Sequence, residues 1–352
     1  MNEEATTIQA TEAAALASAV RSGDQAAFEK LAGLRRRELL VHCYRMLGAL
    51  SDAEDALQET FLRAWRYRES LREGLPLRPW LYRIATNVCL DTIARDPRRT
   101  AMAATEKAGP ASEVAWLEPL PDALLDPVAP RQLEPEASLL TRETVEIAFL
   151  TVIQQLSPKQ RAMLILRDVL GWSAKEAAEL LELSVAAANS ALQRARSTVR
   201  ARIPPRRPAW PAGVDAEESE RELLRKYVAA AEQSDVSLLV SLIREDAVFR
   251  MPPQPGFTGR DEMIRLFLEA GFGTERMGRL RCVTTRANGL PAVAVYARRE
   301  GEPSWGAMAI DLLRIEEGSI AEVVTFAPDV FPAFGLPPNL EDTPVDGGRG
   351  GA

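Results

Sequence analysis

Residues 184–207 read SVAAANSALQRARSTVRARIPPRR and hold six arginines and no acidic residue, in a chain with a formal net charge of −7. The apolar residues of this stretch recur every three or four positions, which predicts a helix with one buried stripe. They are Val185, Ala188, Leu192, Ala195 and Val199. The other face carries amides, hydroxyls and arginines. The pattern predicts a helix that packs on a core and offers donors to an anionic partner.

A second, shorter helix is predicted directly before this one. Ser173 can cap it, and Glu176 stands three residues later, where a capping box requires it. Ser184 can cap the basic helix after a tight turn at Glu182 and Leu183. Two capped helices at this spacing are typical of a helix–turn–helix, whose second helix enters the major groove. A helical hairpin with a solvated basic face is the alternative for this segment alone.

Composition limits the classes of function. The chain has 352 residues, 46% of them hydrophobic, which is enough for two or three domains. No apolar run approaches the ~20 residues of a membrane span, and the acidic start predicts no secretion signal. The scattered Cys43, Cys89 and Cys282 fit a reducing cytoplasm as buried apolar side chains. His42 is the one histidine and lies in a predicted helix core, so we predict no metal, no cofactor and no catalytic triad.

Charge is unevenly spread along the chain. Residues 142–208 contain 11 basic and 6 acidic residues, whereas residues 209–352 contain 15 basic and 23 acidic ones. An acidic protein with one basic module favours polyanion binding confined to that module.

Two further helices are predicted nearer the N-terminus. The first, SDAEDALQETFLRAWRY (51–67), is expected to start at Ser51 with Glu54 completing a capping box, and it has an unbroken apolar stripe. The second, WLYRIATNVCLDTIAR (80–95), places an aromatic, a cation and an amide along one exposed face, with arginines at its end. Such a face suits unpaired nucleic acid. A tryptophan that covers core beside a solvated polar stripe is the alternative.

Three stretches together resemble a known family. DAEDALQETFLRAW (52–65), PWLYRIATNVCLD (79–91) and LSPKQRAMLILRDVLGWSAKEAAELLELSVAAANSALQRAR (156–196) are similar, in order and spacing, to bacterial RNA polymerase sigma factors of the extracytoplasmic-function group. The resemblance implies a cytoplasmic promoter-recognition subunit that initiates transcription.

The resemblance also implies roles for individual residues in the first two stretches. It implies that the helix at 51–67 docks on the clamp helices of the polymerase β′ subunit through Asp52, Asp55, Gln58, Glu59 and Phe61. It implies that the next helix, with the loop Arg68 to Arg78 before it, melts the −10 promoter element and captures a flipped base. The residues for this task are Trp80, Arg83, Asn87, Asp91, Arg95, Arg98 and Arg99. Unstacking a base costs a few kcal/mol, so a preformed pocket is needed to hold the strand open.

For the third stretch, the resemblance implies reading of the −35 element in duplex DNA and contact with the polymerase β flap. The residues at matching positions are Ser184, Ala187, Asn189, Ser190, Gln193, Arg194, Arg196 and Arg200. Many relatives carry Gly, Thr and Arg where this chain has Ala186, Ala187 and Ala191, and alanine cannot hydrogen-bond a base edge. We therefore expect base reading from Asn189, Ser190, Gln193 and Arg194, and phosphate contacts from Arg196 and Arg200.

The predicted fold is multidomain, with two all-α sigma modules followed by an α+β cone-shaped domain. The predicted divisions are a disordered N-terminus (1–22), a region-2-like helical domain (23–99), an acidic Pro-rich linker (100–141), a region-4-like helix–turn–helix domain (142–204), a second linker (205–215), the cone domain (216–335) and a disordered tail (336–352). An acidic extended linker could occupy a basic channel, and in similar sigma factors it threads the polymerase RNA path. A plain spacer is the alternative.

In residues 216–335, helices precede a run of strands expected to be antiparallel. FTGRDEMIRLF (257–267) and the last strand pairs resemble the polyketide-cyclase-like branch of the nuclear-transport-factor-two fold. Asp311 and Asp261 are the acid candidates, but one carboxylate without a partner is a weak catalytic case, so we predict no enzyme. Regulation through contact of 216–335 with the sigma modules is expected instead. APDVF (327–331) resembles an Asn-Pro-Asp element of sigma factors with such a domain, with Ala327 replacing the Asn.

Two other functions remain open at this point. A stand-alone helix–turn–helix regulator with a ligand-sensing C-terminal domain would leave the helix at 51–67 and the Trp80–Asp91 face unexplained. An enzyme that acts in the cone domain is the second alternative.

Overall fold

The computed structural model describes residues 15–71, 77–104, 114–125, 145–202 and 214–341. The chain forms two compact units, one of Met1–Ala108 with Leu124–Pro204 and one of Gly109–Ala123 with Pro205–Ala352. The two helical modules that the sequence predicts therefore share one unit. A piece of the predicted linker belongs to the other unit.

The described residues of the first unit form helices. After a helical segment at residues 15–21 come α1 (Gln25–Leu47), α2 (Leu50–Arg66), α3 (Leu77–Arg95), α4 (Pro97–Ala104), α5 (Ile147–Gln154), α6 (Pro158–Leu164), α7 (Ala174–Leu180) and α8 (Val185–Arg202). A 3-10 turn, Arg68–Ser70, follows α2, and a π-helical turn, Ile165–Val169, follows α6. The predicted all-α character of both sigma modules is confirmed.

Helix α1 is the centre of this unit. Every residue from Leu39 to Leu47 is buried, including His42 and Arg45, because α2 and α3 pack against its C-terminal half. Helix α2 instead buries a single face, as its apolar spacing predicts. It begins at Leu50 rather than at Ser51, and the predicted cap by Ser51 is wrong: the N-cap residue is Ala49, whose side chain cannot accept a hydrogen bond.

The helix–turn–helix forms as the sequence predicts. Ser173 Oγ accepts a hydrogen bond from the Glu176 N–H (3.2 Å), and Glu176 Oε2 accepts one from the Ser173 N–H (2.9 Å). The chain then turns at Glu182, whose φ is +53°, and Ser184 Oγ accepts from the Ala187 N–H (3.1 Å) at the start of α8. Both predicted N-terminal caps are confirmed.

The second unit is an α+β domain. Its described elements are α9 (Val214–Glu232), α10 (Val236–Leu242), β1 (Ile243–Met251), β2 (Gln254–Thr258), α11 (Arg260–Ala270), β3 (Arg279–Ala287), β4 (Leu290–Arg298), β5 (Trp305–Glu316), β6 (Ser319–Phe326), a 3-10 segment (Pro328–Phe334) and β7 (Asn339–Leu340). The strands form one sheet in the order β2-β1-β6-β5-β4-β3, and β7 pairs with β5. The predicted α+β class is confirmed.

Three details of this sheet differ from the sequence prediction. Strand β1 pairs in parallel with β6, whereas the other pairs are antiparallel. The prolines and glycine of PPQPG (252–256) predict a loop before α11, but Gln254–Thr258 form β2 at the sheet edge, where the missing N–H of Pro255 is tolerated. The predicted disordered tail begins too early, because Gly306 and Trp305 of β5 pair with Asn339 and Leu340. Residues 342–352 of that tail lie outside the described residues.

Helices α9, α10 and α11 cover one face of the sheet. Their core with the sheet includes Tyr227, Met263, Phe249, Val293 and Leu313. Side chains alternate between the two faces of a strand, so Ala292, Ala294 and Tyr296 of β4 lie on the other face of the sheet. They are buried as well. The Tyr296 ring packs edge-on against Phe331 of the 3-10 segment.

Part of the predicted linker is bound to this domain. The Leu120 N–H donates to Asn288 Oδ1 (2.8 Å), and the Asn288 N–H donates to the Leu120 carbonyl (2.9 Å). Asp122 accepts from the Gly289 N–H (2.8 Å) and from Arg286 Nε (3.4 Å). The linker prediction of an extended tether over 100–141 is therefore incomplete, because residues 120–122 dock on the β3–β4 turn. Helix α4 also extends to Ala104, beyond residue 100, where the linker was predicted to begin.

Candidate nucleic-acid interface

The outward face of α8 carries most of the residues predicted to read duplex DNA. Those on the surface are Ser184, Ala187, Asn189, Ser190, Gln193, Arg194, Arg196 and Arg200. Within the described part of the chain, the side chains of Asn189, Gln193 and Arg194 have no hydrogen-bond or ion-pair partner. Ser190 Oγ donates to the Ala186 carbonyl (3.0 Å). The free amides and guanidinium are available to an outside partner without loss of an internal bond.

The buried side of α8 differs from the predicted stripe at three positions, Val185, Ala191 and Val199, and Val199 is half-buried. Ala188, Ala191, Leu192 and Ala195 are buried against α5, α6 and α7, whereas Val185 in the first turn is 46% exposed. Ala191 therefore does not face outward. Its burial explains why a small side chain serves at this position.

Arg196 is already paired within the protein. Its Nε and Nη2 donate to the two carboxylate oxygens of Asp168 at 2.9 and 2.6 Å, and the hydrogen bond to Asp168 raises the pKa of Arg196. Bidentate pairing fixes the guanidinium plane. A phosphate bound by Arg196 would have to share the guanidinium with Asp168 or displace that carboxylate. Arg200 has no such partner among the residues that the structure describes.

The predicted −10 face forms a stripe along α3. Arg83 and Asn87 are exposed, while Trp80 and Asp91 are half-buried. Trp80 Nε1 donates to Ser70 Oγ (3.3 Å), which joins the stripe to the 3-10 turn after α2. Asp91 accepts from Arg63 Nη1 (2.8 Å), so this acid is tied to α2. Of the predicted loop from Arg68 to Arg78, residues 72–76 lie outside the described residues, and Leu77 and Arg78 already belong to α3.

Beyond α3, the predicted basic end of this face divides into exposed and buried arginines. Arg95 is exposed, and Arg98 is exposed although paired with Asp96 (3.1 Å). Arg99 is 1% exposed and donates to the Leu47 carbonyl and to the carboxylates of Asp52 and Asp96. In this structure the guanidinium of Arg99 is enclosed under the end of α1 and is not on the surface with Arg95 and Arg98.

The predicted polymerase-binding face on α2 is partly engaged by the protein itself. Asp55 and Gln58 are exposed, but Asp52 pairs with Arg99 and Glu59 accepts from Arg63 Nε (2.6 Å). The Phe61 ring packs edge-on against Phe28, with centroids 6.3 Å apart.

One residue of this face was missed in the sequence. This residue is Leu62, which follows Phe61 on α2. Its side chain is 61% exposed. Leu62 is apolar but lies outside the buried stripe of α2, and this mismatch is the signal in the sequence that would have identified it. Leu62 lies on the same helical face as Asp55 and Gln58, because side chains four and seven positions apart share one face of a helix.

The single histidine belongs to the core of the first unit. His42 is 0% exposed, and its Nε2 lies 2.9 Å from Thr86 Oγ1. Burial, followed by the charges of Arg45 and Arg78, lowers the pKa of His42 to about 3. Among the described residues, no group of three or more His, Cys, Asp or Glu side chains could hold a metal ion.

The acid candidates of the C-terminal domain have very different surroundings. Asp311 is 8% exposed; its oxygens accept from Tyr227 Oη (3.0 Å) and Thr325 Oγ1 (2.6 Å), and burial raises its pKa. It does not line either of the open grooves, of about 270 and 520 Å³, beside the β4–β5 turn. The Asp261 side chain is fully exposed in the first turn of α11. Both Asp311 oxygens are occupied by hydroxyl donors.

Family comparisons agree with this arrangement. Residues 33–99 match Sigma-70 region 2, residues 146–199 match Sigma-70, region 4, and residues 224–323 match the SnoaL-like domain. The first range contains α3, the second contains most of the helix–turn–helix, and the third contains most of the sheet domain. Fold and site thus define the class of Sigma-70 proteins with an added SnoaL-like domain.

Similarity to individual proteins narrows the class. The ECF RNA polymerase sigma factor SigG of Mycobacterium tuberculosis is 39% identical over 314 residues, which cover 87% of this chain and 82% of that protein. SigJ of the same species is 30% identical over 216 residues, 61% of each chain. The chain belongs to the ECF RNA polymerase sigma factors, and it acts as a sigma factor in transcription initiation.

A solved structure shares the overall fold. The crystal structure of SigJ from Mycobacterium tuberculosis superposes with a TM-score of 0.52 at 23% identity, covering 86% of this chain and 97% of SigJ. In the part of the chain that the structure describes, no helix has the length and apolar composition needed to cross a bilayer.

Proposed function

We propose that this sigma factor reads promoters with two separate faces, the outer face of α8 at the −35 duplex and the α3 stripe at the melted −10 strand. The observation that carries the proposal is the set of exposed polar side chains on these helices that bond to no other described residue: Asn189, Gln193 and Arg194 on α8, and Arg83 and Asn87 on α3. Amides and guanidinium groups on an ordered helix are suited to base edges in the major groove. An indole beside a cation is suited to unstacked bases.

The polymerase contact that we propose is the acidic face of α2 against the clamp helices of β′. Exposed Gln58 and Asp55 lie four and seven positions before Leu62 on one face of α2, so the apolar side chain has polar neighbours, as in the rim of a protein interface. The helices from 145 to 202 would contact the β flap. Promoter DNA and core polymerase are the partners that membership of the family implies.

Reconstituted transcription tests this proposal. The purified full chain should be retained by core polymerase in a pull-down at ~0.15 M salt, where exposed charges are screened beyond ~8 Å. It should then direct transcripts from a promoter selected from its own genome. Binding to duplex DNA without binding to core polymerase would contradict the proposal and favour a stand-alone helix–turn–helix regulator.

We further propose that the C-terminal domain modulates this activity by holding the linker. Asn288 and Asp122 tie residues 120–122 to the β3–β4 turn through the bonds described above. A linker segment held on this turn is not free to enter a channel of the polymerase. Because the domain is covalently attached, its effective concentration at the linker is high.

Two substitutions separate linker binding from the fold of the domain. Asn288→Gly keeps the positive φ of the turn (+55°) while removing the side-chain bond, and Asp122→Ala removes the other contact. The double variant should change promoter output severalfold in the same direction as a chain that ends at Gly213. Glu300→Ala, on the exposed β4–β5 turn, is the control and should leave output unchanged. Opposite directions for the double variant and the truncation would contradict linker holding.

A further inference from the structure

Arg63 joins the two helices that carry the candidate surfaces of region 2. Its Nε donates to Glu59 Oε1 (2.6 Å) on its own helix α2, and its Nη1 donates to Asp91 Oδ2 (2.8 Å) on α3. The N–H groups of a guanidinium point in fixed, different directions, so one arginine can hold two carboxylates. Glu59 belongs to the predicted polymerase-binding face and Asp91 to the predicted −10 stripe. One cation therefore touches an acid of each face.

The charge of Asp91 is balanced by Arg63. Among the residues that the structure describes, the Asp91 carboxylate has no second hydrogen-bond or ion-pair partner. Its side chain is 45% exposed, and that of Arg63 is 23% exposed. The hydrogen bonds to Asp91 and then to Glu59 raise the pKa of Arg63. Ion pairs as exposed as this one add little to the stability of a fold. The pair has more influence on the local charge of the surface.

The position of Asp91 makes its charge important. Asn87 lies four positions before Asp91 on α3 and Arg95 four positions after it, so the three side chains share one face. Asn87 and Arg95 are both exposed on this face. A surface that holds unpaired nucleic acid follows the phosphate backbone with positive charge. A carboxylate at the centre of the stripe repels phosphates unless a neighbouring cation cancels its charge.

We propose that Arg63 is a positioning residue for promoter opening: from α2 it cancels the charge of Asp91, so that Asn87 and Arg95 on α3 can hold the unpaired −10 strand. Asp91 then anchors α3 to α2 and makes no contact with the strand. The proposal rests on the placement of the −10 strand on α3 proposed above.

Two other roles for this ion pair make different predictions. If Asp91 accepted a hydrogen bond from a base, its conversion to asparagine would weaken strand binding. If the pair only held the two helices together, breaking it from either side would have the same effect. Charge cancellation instead predicts opposite effects, because loss of Arg63 leaves a negative charge on the stripe and loss of the Asp91 charge leaves a positive one.

Binding of a single-stranded oligonucleotide by holoenzyme tests the proposal. The full chain is saturated with core polymerase, and fluorescence anisotropy measures its affinity for the non-template −10 sequence of a promoter that it transcribes. Arg63→Met should weaken binding about tenfold at ~0.1 M salt, and Asp91→Asn should strengthen it about twofold. The double variant Arg63→Met with Asp91→Asn should return to within about twofold of wild type, and Arg63→Lys should stay within about threefold.

A matched control separates local from general charge effects. Arg66→Met removes the same charge from an exposed position on the same helix and should weaken binding less than about twofold. At ~0.5 M salt the differences among all variants should shrink, because exposed charges are screened over shorter distances. Weaker binding by Asp91→Asn, a double variant as weak as Arg63→Met, or an equal loss in Arg66→Met would each overturn the proposal.

Two further measurements keep the outcomes separate. Retention on core polymerase is measured for every variant, because α2 also carries the predicted polymerase-binding face. Chemical unfolding shows whether Arg63→Met folds; if it does not, the direction of the change in Asp91→Asn decides between charge cancellation and the two other roles. A wild-type holoenzyme that does not bind the −10 strand would contradict the proposed function itself. Wild-type affinity in folded Arg63→Met would contradict only the role of Arg63.

Discussion

Two neighbouring arginines show how much a single position decides. Arg98 has a side chain that is 69% exposed, whereas the Arg99 side chain is 1% exposed and bonded to the end of α1. Both follow the same predicted helix and carry the same charge. Because successive residues of a helix point ~100° apart, α4 turns one outward and the other into the unit.

Arg194 is expected to read one base of the −35 element. Arg194→Ala should lose ~1–3 kcal/mol of duplex binding and relax selectivity at one position, because a bidentate contact to a base edge is removed. Arg200→Ala is the matched comparison. It should weaken binding to all sequences alike and reduce the salt slope by about 1, as expected for a phosphate contact. Uniform weakening by both variants in a mobility-shift assay would contradict base reading by Arg194.

Asn87 is expected to act only after the strands separate. Asn87→Ala should leave duplex binding nearly intact and reduce open-complex formation roughly tenfold, or ~1.4 kcal/mol, because a contact to the unpaired strand is lost. Permanganate reactivity of melted thymines measures the opening. Equal losses of duplex binding and opening would count against this assignment.

His42 is expected to make the first unit sensitive to acid. The unfolded chain takes up a proton on His42 near pH 6.5, and the folded unit does so only near pH 3, so stability falls as the pH drops through this window. The loss attributable to His42 is about 3 kcal/mol between pH 7.5 and pH 4. Urea unfolding of the wild type and of His42→Gln measures it. The variant should have a flatter pH dependence, since its carboxylates are unchanged, and parallel curves would disprove this origin.

At the level of single elements, the helix–turn–helix depends on its caps. The reciprocal bonds of Ser173 and Glu176 supply partners for backbone N–H groups that α7 itself cannot satisfy. Helix α7 has only seven residues, too few to be stable alone, so its start and its packing against α8 must support each other.

Removal of this cap should therefore be measurable. Ser173→Ala should lower the free energy of unfolding of the first unit by about 1 kcal/mol. Ser197→Ala, at an exposed position in the middle of α8, is the control and should change it by less than ~0.5 kcal/mol. A similar effect of both substitutions in chemical unfolding would show that the cap contributes nothing specific.

Elements with strong local signals are the ones that the sequence predicts well. The capping residues and apolar spacing of α7 and α8 are contained within a few turns, as are the stripes of α2 and α3. Strand β2 has no such signal, because its Pro255 and Gly256 are typical of loops and its strand character comes from pairing with β1. The same holds for β7 and its pairing with β5.

The whole molecule combines the two helical modules of a sigma factor with a domain that binds part of the segment between them. Deletion of residues 214–352 should change transcription from a matched promoter severalfold without abolishing binding to core polymerase, because the predicted polymerase contacts are all in the first unit. Multi-round transcription and a pull-down on the same preparations measure the two effects. Unchanged transcription would remove the regulatory role of the C-terminal domain.

Local patterns in the chain were sufficient to specify the helices, the helix–turn–helix and the exposed faces of α3 and α8, because propensity, capping and periodicity act over a few residues. Only the tertiary structure shows that Arg161 donates to the Met46 carbonyl at the end of α1, and that Arg99 is buried. It also shows that residues 120–122 bind the β3–β4 turn. These contacts join residues 52 to 168 positions apart in the sequence. In each contact at least one partner is a backbone carbonyl or N–H group, which almost every residue carries, so no sequence pattern marks that partner.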